Sequence, residues 1–300
     1  MASDRVNWNG SDVITMRYEA PETMEAAVEL LSSDEGARVL AGGTDLLVQL
    51  RAEMIEPSLV VDVKRIAAMR EITKENDGIR VGAAVAGAEL GEHEEFKATW
   101  PGVLEAFELI GSTQIQGRAT MGGNLCNASP AADSVPAMIA AGATATILGP
   151  GGQRDVPVED IAIGPGQTSL DKGELVTSFF FPKPAARTGD AYLRFIPRTE
   201  MDIAVVGAGI CLTLDDSDIC KAARVSLGAV AARALVVDEA ADALIGTPVD
   251  EAALAKLAEA ASAAAKPIDD KRGTKEFRIQ VMGVMARRTA EIALARAKAN

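Results

Sequence analysis

The chain has 300 residues, 48% hydrophobic and 24% charged, enough to bury a core and unlike a disordered or collagenous composition. Its 43 acidic against 30 basic residues leave a formal charge of −13, a field that repels a phosphate backbone and argues against nucleic acid as a partner. A single histidine, His93, and three cysteines without CxxC spacing argue against a multi-histidine metal site and a disulfide framework, and fit a reducing, cytoplasmic setting.

The first dozen residues hold no apolar core of a signal peptide, and no apolar run is long enough to span a bilayer. Neither a leader nor a transmembrane segment is therefore expected. In chain order, an extended Met16–Ala20 precedes a helix to Leu31, with Met24, Ala27, Val28 and Leu31 on one face and Pro21 at its start. A short β-like run, Arg38–Ala41, leads into Gly42-Gly43-Thr44-Asp45 and then a helical LLVQLRAE. Leu59–Val63 and Ile79–Gly82 read as strands. His93, in the acidic GEHEEF, reads as a solvated surface residue.

Trp100–Gly111 predicts a helix, followed by the small and polar stretch Ser112–Asp133, long enough to suggest a functional loop. A helix over 131–141 should be bent by Pro136. Strands are expected at Ala143–Leu148 and Glu174–Phe181, and Pro182–Asp190 has a linker's composition. Beyond it, strands at 192–196, 203–214 and 222–230 precede helices at 235–244, 251–264 and 274–298. Strands grouped before helices predict an α+β module.

Four glycine-rich places compete for chemistry. VVGAGICLTL at 205–214 mimics a dinucleotide fingerprint, but a strand continues where a helix should begin, so it reads as a buried strand. GPGG at 149–152 reads as a hairpin turn, and no P-loop motif is present. The remaining two are AGGTD at 41–45 and ATMGGN at 119–124. Adjacent glycines allow positive φ and a close approach of the backbone, leaving N–H groups to point at one anion. Thr44, Thr120 and Asn124 add short donors, and Asp45 suits the cap of the following helix. Either loop alone is as readily a turn. Together they suit a diphosphate, which oriented amides can hold against the global negative charge.

IGSTQIQGRATMGGNLCNASPAADSVPAM, read with VLAGGTDLLVQLR and YLRFIPRTEMDIAVVGAGI, resembles the FAD-binding medium subunit of the molybdenum hydroxylases, over about residues 17–288. The resemblance implies an α+β fold: a two-subdomain FAD-binding domain over residues 1–183 (about 1–62 and 63–183), then a module with a three-stranded sheet and helices over 190–300. It places Val39, Leu40, Ala41, Gly42, Gly43, Thr44 and Asp45 around the FAD diphosphate, with Ala119, Thr120, Gly122, Gly123 and Asn124 opposite. Asn127 and Asp133 match cofactor contacts, Asp133 as an acceptor for a sugar or ribityl hydroxyl. Ile110, Gly111 and Thr177 match an apolar approach to the flavin ring. Arg194 matches a cation near the ring, and reads equally as a surface charge on a strand.

The resemblance further implies electron relay without a catalytic acid or base or a bound metal on this chain. It implies an iron–sulfur small subunit with [2Fe–2S] clusters and a molybdopterin large subunit in a dimer of heterotrimers. Cys126 runs straight into NASPAAD, so the cysteine-rich insertion of the 4-hydroxybenzoyl-CoA reductase branch is not expected. The alternatives are a stand-alone FAD-dependent oxidase and a flavin-free scaffold.

Overall fold

The computed structural model describes residues 16–300; residues 1–15, on which the expectation about a leader and the start of the first domain fall, lie outside the described residues. Three short strands, β1 (Arg17–Glu19), β2 (Ala37–Leu40) and β3 (Leu59–Asp62), form a parallel sheet in the order β1-β3-β2. β3 is buried at every position, as an apolar central strand must be. The helix α1 (Met24–Ser33) is capped by Thr23, whose hydroxyl accepts from the Ala26 N–H at 3.2 Å, and it buries Ala27 and Leu31. The helix α2 (Leu46–Arg51) follows the first glycine turn and buries none of its residues.

A second sheet is antiparallel. β4 (Ile72–Glu75), β5 (Gly78–Gly82), β6 (Thr144–Gly149) and β7 (Gly152–Pro157) precede a separate hairpin of β8 (Ala162–Gly164) and β9 (Gln167–Thr168). With β10 (Leu175–Pro182) the order is β4-β5-β10-β6-β7. Between β5 and β6 run α3 (Gly87–Gly91), α4 (Glu94–Thr99), α5 (Pro101–Glu108), α6 (Thr113–Gln116), α7 (Met121–Cys126) and α8 (Ser134–Ala140). The stretch expected as one loop is therefore built around two short helices. Pro136 sits in the first turn of α8, where its missing N–H leaves no intrahelical bond unmade, so no bend is needed. His93 is half-buried and structural: its Nδ1 accepts from the Phe96 N–H at 3.1 Å and caps α4.

The last third forms a sheet of β11 (Thr188–Phe195), β12 (Val206–Leu214), β13 (Cys220–Gly228) and a two-residue β14 (Leu235–Val236). The helices α9 (Asp238–Asp242), α10 (Glu251–Ala264) and α11 (Lys275–Ala299) follow. Leu235 and Val236 pair with Leu227 and Ser226, adding a fourth strand to the expected three and delaying the helix expected at 235. β10 ends at Pro182 and β11 begins at Thr188, which shortens the expected linker.

Two separate clusters of buried apolar side chains underlie these layers. β11 joins them by simple alternation. Ala191 faces the cluster of the last third, whereas Tyr192, one residue on, belongs to the cluster of the first two sheets.

Candidate cofactor site

Residues 41–45 leave the carboxyl end of β2 in a parallel sheet, the end at which such sheets place ligands. The turn is built by two glycines with different tasks. A Cβ on Gly42 would lie 2.0 Å from the Arg118 carbonyl oxygen, so only glycine lets this turn pack on the residues leading into Ala119. Gly43 has φ +80°, which turns the chain into α2. Lys64, just past β3, donates from Nζ to the Ala41 carbonyl at 3.0 Å and pairs with Asp62 at 2.7 Å. Val39 is exposed and Leu40 is buried.

Among the described residues, the N–H groups of Gly42, Gly43, Thr44 and Asp45 donate to no protein acceptor. Asp45 occupies the N-cap position of α2 but makes no side-chain cap bond, contrary to the role expected for it. Its backbone is already helical there, with φ −99° and ψ −50°, whereas a capping side chain needs an extended backbone. The turn thus presents successive unclaimed donors on a backbone free of bulk.

The second loop differs. The Gly122 N–H donates to the Ala83 carbonyl at 3.1 Å, the Gly123 N–H to Thr120 Oγ1 at 3.0 Å, and the Asn124 N–H to the Thr120 carbonyl at 2.9 Å. Its amides are consumed in starting α7, so the expectation of free N–H groups in both loops holds only for the first. A Cβ on Gly122 would meet the Ala83 oxygen at 2.8 Å, while one on Gly123 would meet only Thr120 Oγ1, at 3.0 Å. Gly122 is thus the packing glycine and Gly123 the open one. Asn124 Oδ1 accepts from the Ser134 hydroxyl at 2.6 Å, and Asn127 Oδ1 from Gln49 Nε2 at 2.9 Å, which ties α2 to the end of α7.

Asp133 is buried, and both its oxygens are engaged: Tyr192 Oη donates at 2.8 Å and Arg194 Nη1 at 2.5 Å. Burial pushes this carboxyl up to about 6, against the pull of Arg194 and the Tyr192 hydroxyl. The Arg194 side chain is only 4% exposed, which settles its two sequence readings against a surface charge. Its Nε is buried without a partner. Asp133 therefore serves first as the counter-ion of Arg194, and the acceptor role implied for it would need one of those bonds to be shared.

Gly111 has φ +63° and its carbonyl accepts from the Met201 N–H at 3.4 Å, so the Arg198–Asp202 segment lies against the Ile110–Gly111 turn. Thr177 is buried in β10, its hydroxyl donating to the Thr146 carbonyl at 3.2 Å and its carbonyl accepting from the Ala83 N–H at 2.9 Å. It supports the strand end under the second loop rather than lining it.

Sequence reading missed Gln49, Lys64, Tyr192 and Met201. Tyr192 carried a signal: it lies two residues before Arg194 on one strand, hence on the same face. Among the described residues there is no grouping of side chains able to hold a metal, and no helix is long and apolar enough to cross a membrane.

Comparison with known proteins bears on both halves. Residues 14–184 match the FAD binding domain in molybdopterin dehydrogenase, and residues 191–293 the CO dehydrogenase flavoprotein C-terminal domain. The chain is 34% identical over 282 residues to the carbon monoxide dehydrogenase medium chain of Afipia carboxidovorans, covering 94% of this chain and 97% of that one. It is 30% identical to the xanthine dehydrogenase FAD-binding subunit of Escherichia coli O157:H7, over 93% of this chain and 96% of that one. Among solved structures, CO dehydrogenase from Oligotropha carboxidovorans superposes with a TM-score of 0.90 at 33% identity, covering 94% of this chain and 98% of that chain. Quinoline 2-oxidoreductase from Pseudomonas putida 86 gives 0.87 at 29% identity, over 94% and 98%. With both of its halves and nearly its whole length matched, the chain belongs to the FAD-binding medium subunits of the molybdenum hydroxylases, a family of oxidoreductase flavoproteins.

Proposed function

We propose that this chain relays electrons between [2Fe–2S] clusters on a partner subunit and an external acceptor, through FAD held between its two glycine loops. The observation that carries this reading is the row of unclaimed amides at 42–45, packed directly on the second loop. Such a row suits a diphosphate in a chain of net charge −13, because fixed backbone dipoles attract an anion without a net positive surface.

On this reading Ala41–Asp45 wrap the diphosphate from one side, with Val39 and Leu40 leading into the turn. Ala119, Thr120, Gly122, Gly123 and Asn124 face it from the other, and Asn127 and Asp133 continue that wall. Ile110 and Gly111 approach the flavin ring, and Arg194 supplies a cation whose orientation Asp133 and Tyr192 fix. Thr177 acts from beneath. Bound FAD would supply one- and two-electron chemistry, which lets it couple one-electron clusters to a two-electron acceptor. No side chain of the site needs to act as an acid or base.

The division into residues 1–183 and 190–300 is proposed as the boundary between the FAD-binding domain and the C-terminal module. The partners proposed are an iron–sulfur small subunit and a molybdopterin large subunit, arranged as a cytoplasmic dimer of heterotrimers. Co-expression with those subunits should yield a complex with flavin and iron–sulfur absorbance and FAD released on denaturation. A colourless complex without releasable FAD would sink the reading.

A further inference from the structure

The strand order β1-β3-β2 puts Tyr18 and the first glycine loop on opposite sides of the end of β3. Asp62, the last residue of β3, is in register with Leu40, so Ala41 leaves β2 beside it. Tyr18 lies on β1, against the other edge of β3. A chain of polar contacts crosses the three strands here. Tyr18 Oη donates to Asp62 Oδ2 at 2.6 Å, Lys64 Nζ donates to Asp62 Oδ1 at 2.7 Å, and the same ammonium donates to the Ala41 carbonyl at 3.0 Å. Asp62 Oδ1 also accepts from the Lys64 N–H at 3.0 Å, so the lysine is held at both its backbone and its tip. Burial of Asp62 acts to raise its carboxyl, yet the bonds from Lys64 and Tyr18 hold it below the usual carboxylate range.

What Lys64 grips decides what the loop presents. In a planar trans peptide the C=O and N–H point in opposite directions. The peptide between Ala41 and Gly42 has its oxygen on the Lys64 ammonium, so the Gly42 N–H points away from it, and that N–H is the first in the row without a protein acceptor. Glycine at 42 leaves this peptide free to rotate, because no side chain restricts its φ. The carbonyls of Gly43 and Asp45 are tied into α2 by the N–H groups of Leu47 and Gln49. Among the described residues, Lys64 is the one side chain bonded to the backbone of 41–45, and it holds the entry to the turn.

We propose that Lys64 is a positioning residue of the cofactor site: it holds the Ala41–Gly42 peptide with its N–H turned toward the diphosphate, and Asp62 and Tyr18 hold Lys64 in place. This rests on the reading of the loop as a cradle for the FAD diphosphate. The ammonium is not itself a ligand of the diphosphate, since it lies on the carbonyl side of the peptide whose N–H would meet the anion. Its charge polarises that peptide and makes the N–H a stronger donor.

The test uses the full chain and FAD. Affinity is measured by equilibrium dialysis at low and high salt for wild type, Lys64→Met and Asp62→Asn/Lys64→Met. The single variant leaves a buried carboxylate short of its cation and should also lower the thermal midpoint. The double variant removes one charge of each sign and leaves no buried charge unpaired, so its midpoint should stay near wild type. Both should bind FAD on the order of tenfold more weakly, the usual worth of one charge-assisted hydrogen bond. The double variant should keep the wild-type salt dependence, because no ion pair with the phosphates is lost. Wild-type affinity in the double variant would overturn the proposal. So would a loss with a flattened salt dependence, which would make the ammonium a direct ligand of the phosphates. Tyr18→Phe, at an exposed position, loosens Asp62 without touching a charge. It should weaken FAD binding by about two- to threefold with its midpoint unmoved, and wild-type affinity there would overturn the relay through Asp62. Failure of the cradle reading looks different: wild type itself would then take up no FAD.

Discussion

The two glycine loops look alike in sequence, yet the fold uses them differently. In each, one glycine allows close packing: Gly42 against the Arg118 carbonyl and Gly122 against the Ala83 carbonyl. The other is the outward one, and here the loops part. Gly43 takes φ +80° and sits in a row of amides without protein acceptors, whereas the Gly123 N–H is already bonded to Thr120 inside the first turn of α7. A doubled glycine therefore does not by itself mean an anion cradle. What matters is whether the next residues begin a helix whose cap consumes the N–H groups, as after Thr120, or reach one without a side-chain cap, as at Asp45.

The largest effect expected from this difference follows Gly42→Ala. The added methyl meets backbone, not a yielding side chain: the Arg118 carbonyl at 2.0 Å and Ala119 Cα at 3.1 Å. The two loops must separate, at roughly 3 kcal/mol or more given the usual range for overpacking. Equilibrium dialysis should show FAD binding abolished, and thermal unfolding a lowered midpoint. A variant that keeps its FAD would mean that the loops need not touch to hold it.

Next in size is a pH effect, larger at the second loop's segment than at the first, where burial also raises Asp45. The first loop's amides do not titrate, but Asp133 is raised by burial to about 6. Its folded value lies above the unfolded one, so its contribution to stability is full below about pH 4 and is lost as pH rises through 6. The loss amounts to roughly 3 kcal/mol at most. Tyr192→Phe removes a hydrogen bond that favours the ionised carboxyl, and should move the lost stability to still higher pH. Thermal midpoints of the two proteins between pH 4 and 8 check this, and curves that run parallel would refute it.

Much of this was legible in the sequence, and what escaped it has a physical reason. Period and propensity located β3, β6, β10 and the long α11, and the order of strands before helices gave the α+β module of the last third. Adjacent glycines identified both loops. Thr120, the partner of the Gly123 and Asn124 amides, lies within the same turn, whereas the partner of the Gly122 amide was invisible, because the Ala83 carbonyl reaches it only once β5 and α7 are folded together. The same holds for Asp133, whose ligands Tyr192 and Arg194 come from a strand in the other half of the molecule. Short-range rules also misplaced the start of the 235–244 helix, where pairing with β13 overrode helix propensity.

Thr120→Val probes the cap that sets the second loop apart. It removes the acceptor of the Gly123 N–H and should cost about 1 kcal/mol, a fall of roughly 2–4 °C in the unfolding midpoint. FAD affinity should fall only in part, because the Thr120 hydroxyl is lost from the wall facing the diphosphate while the freed Gly123 N–H joins the donors there. An unchanged midpoint would mean that α7 is held by packing alone.

The smallest stability change, and the sharpest division between the loops, is expected from Gly123→Ala. The new methyl would meet only Thr120 Oγ1, at 3.0 Å, and no backbone outside its own turn. Inside a helix, alanine gains up to about 1 kcal/mol over glycine, which offsets that one tight contact and leaves the midpoint near wild type. The methyl nevertheless occupies the side of α7 left open toward the diphosphate in the proposed site. FAD affinity should therefore fall, on the order of tenfold, while stability does not. At Gly42 folding and cofactor binding should fail together, because one backbone contact serves both. At Gly123 they should come apart, and if affinity also stays at wild type the second loop is scaffold and only the first is cradle.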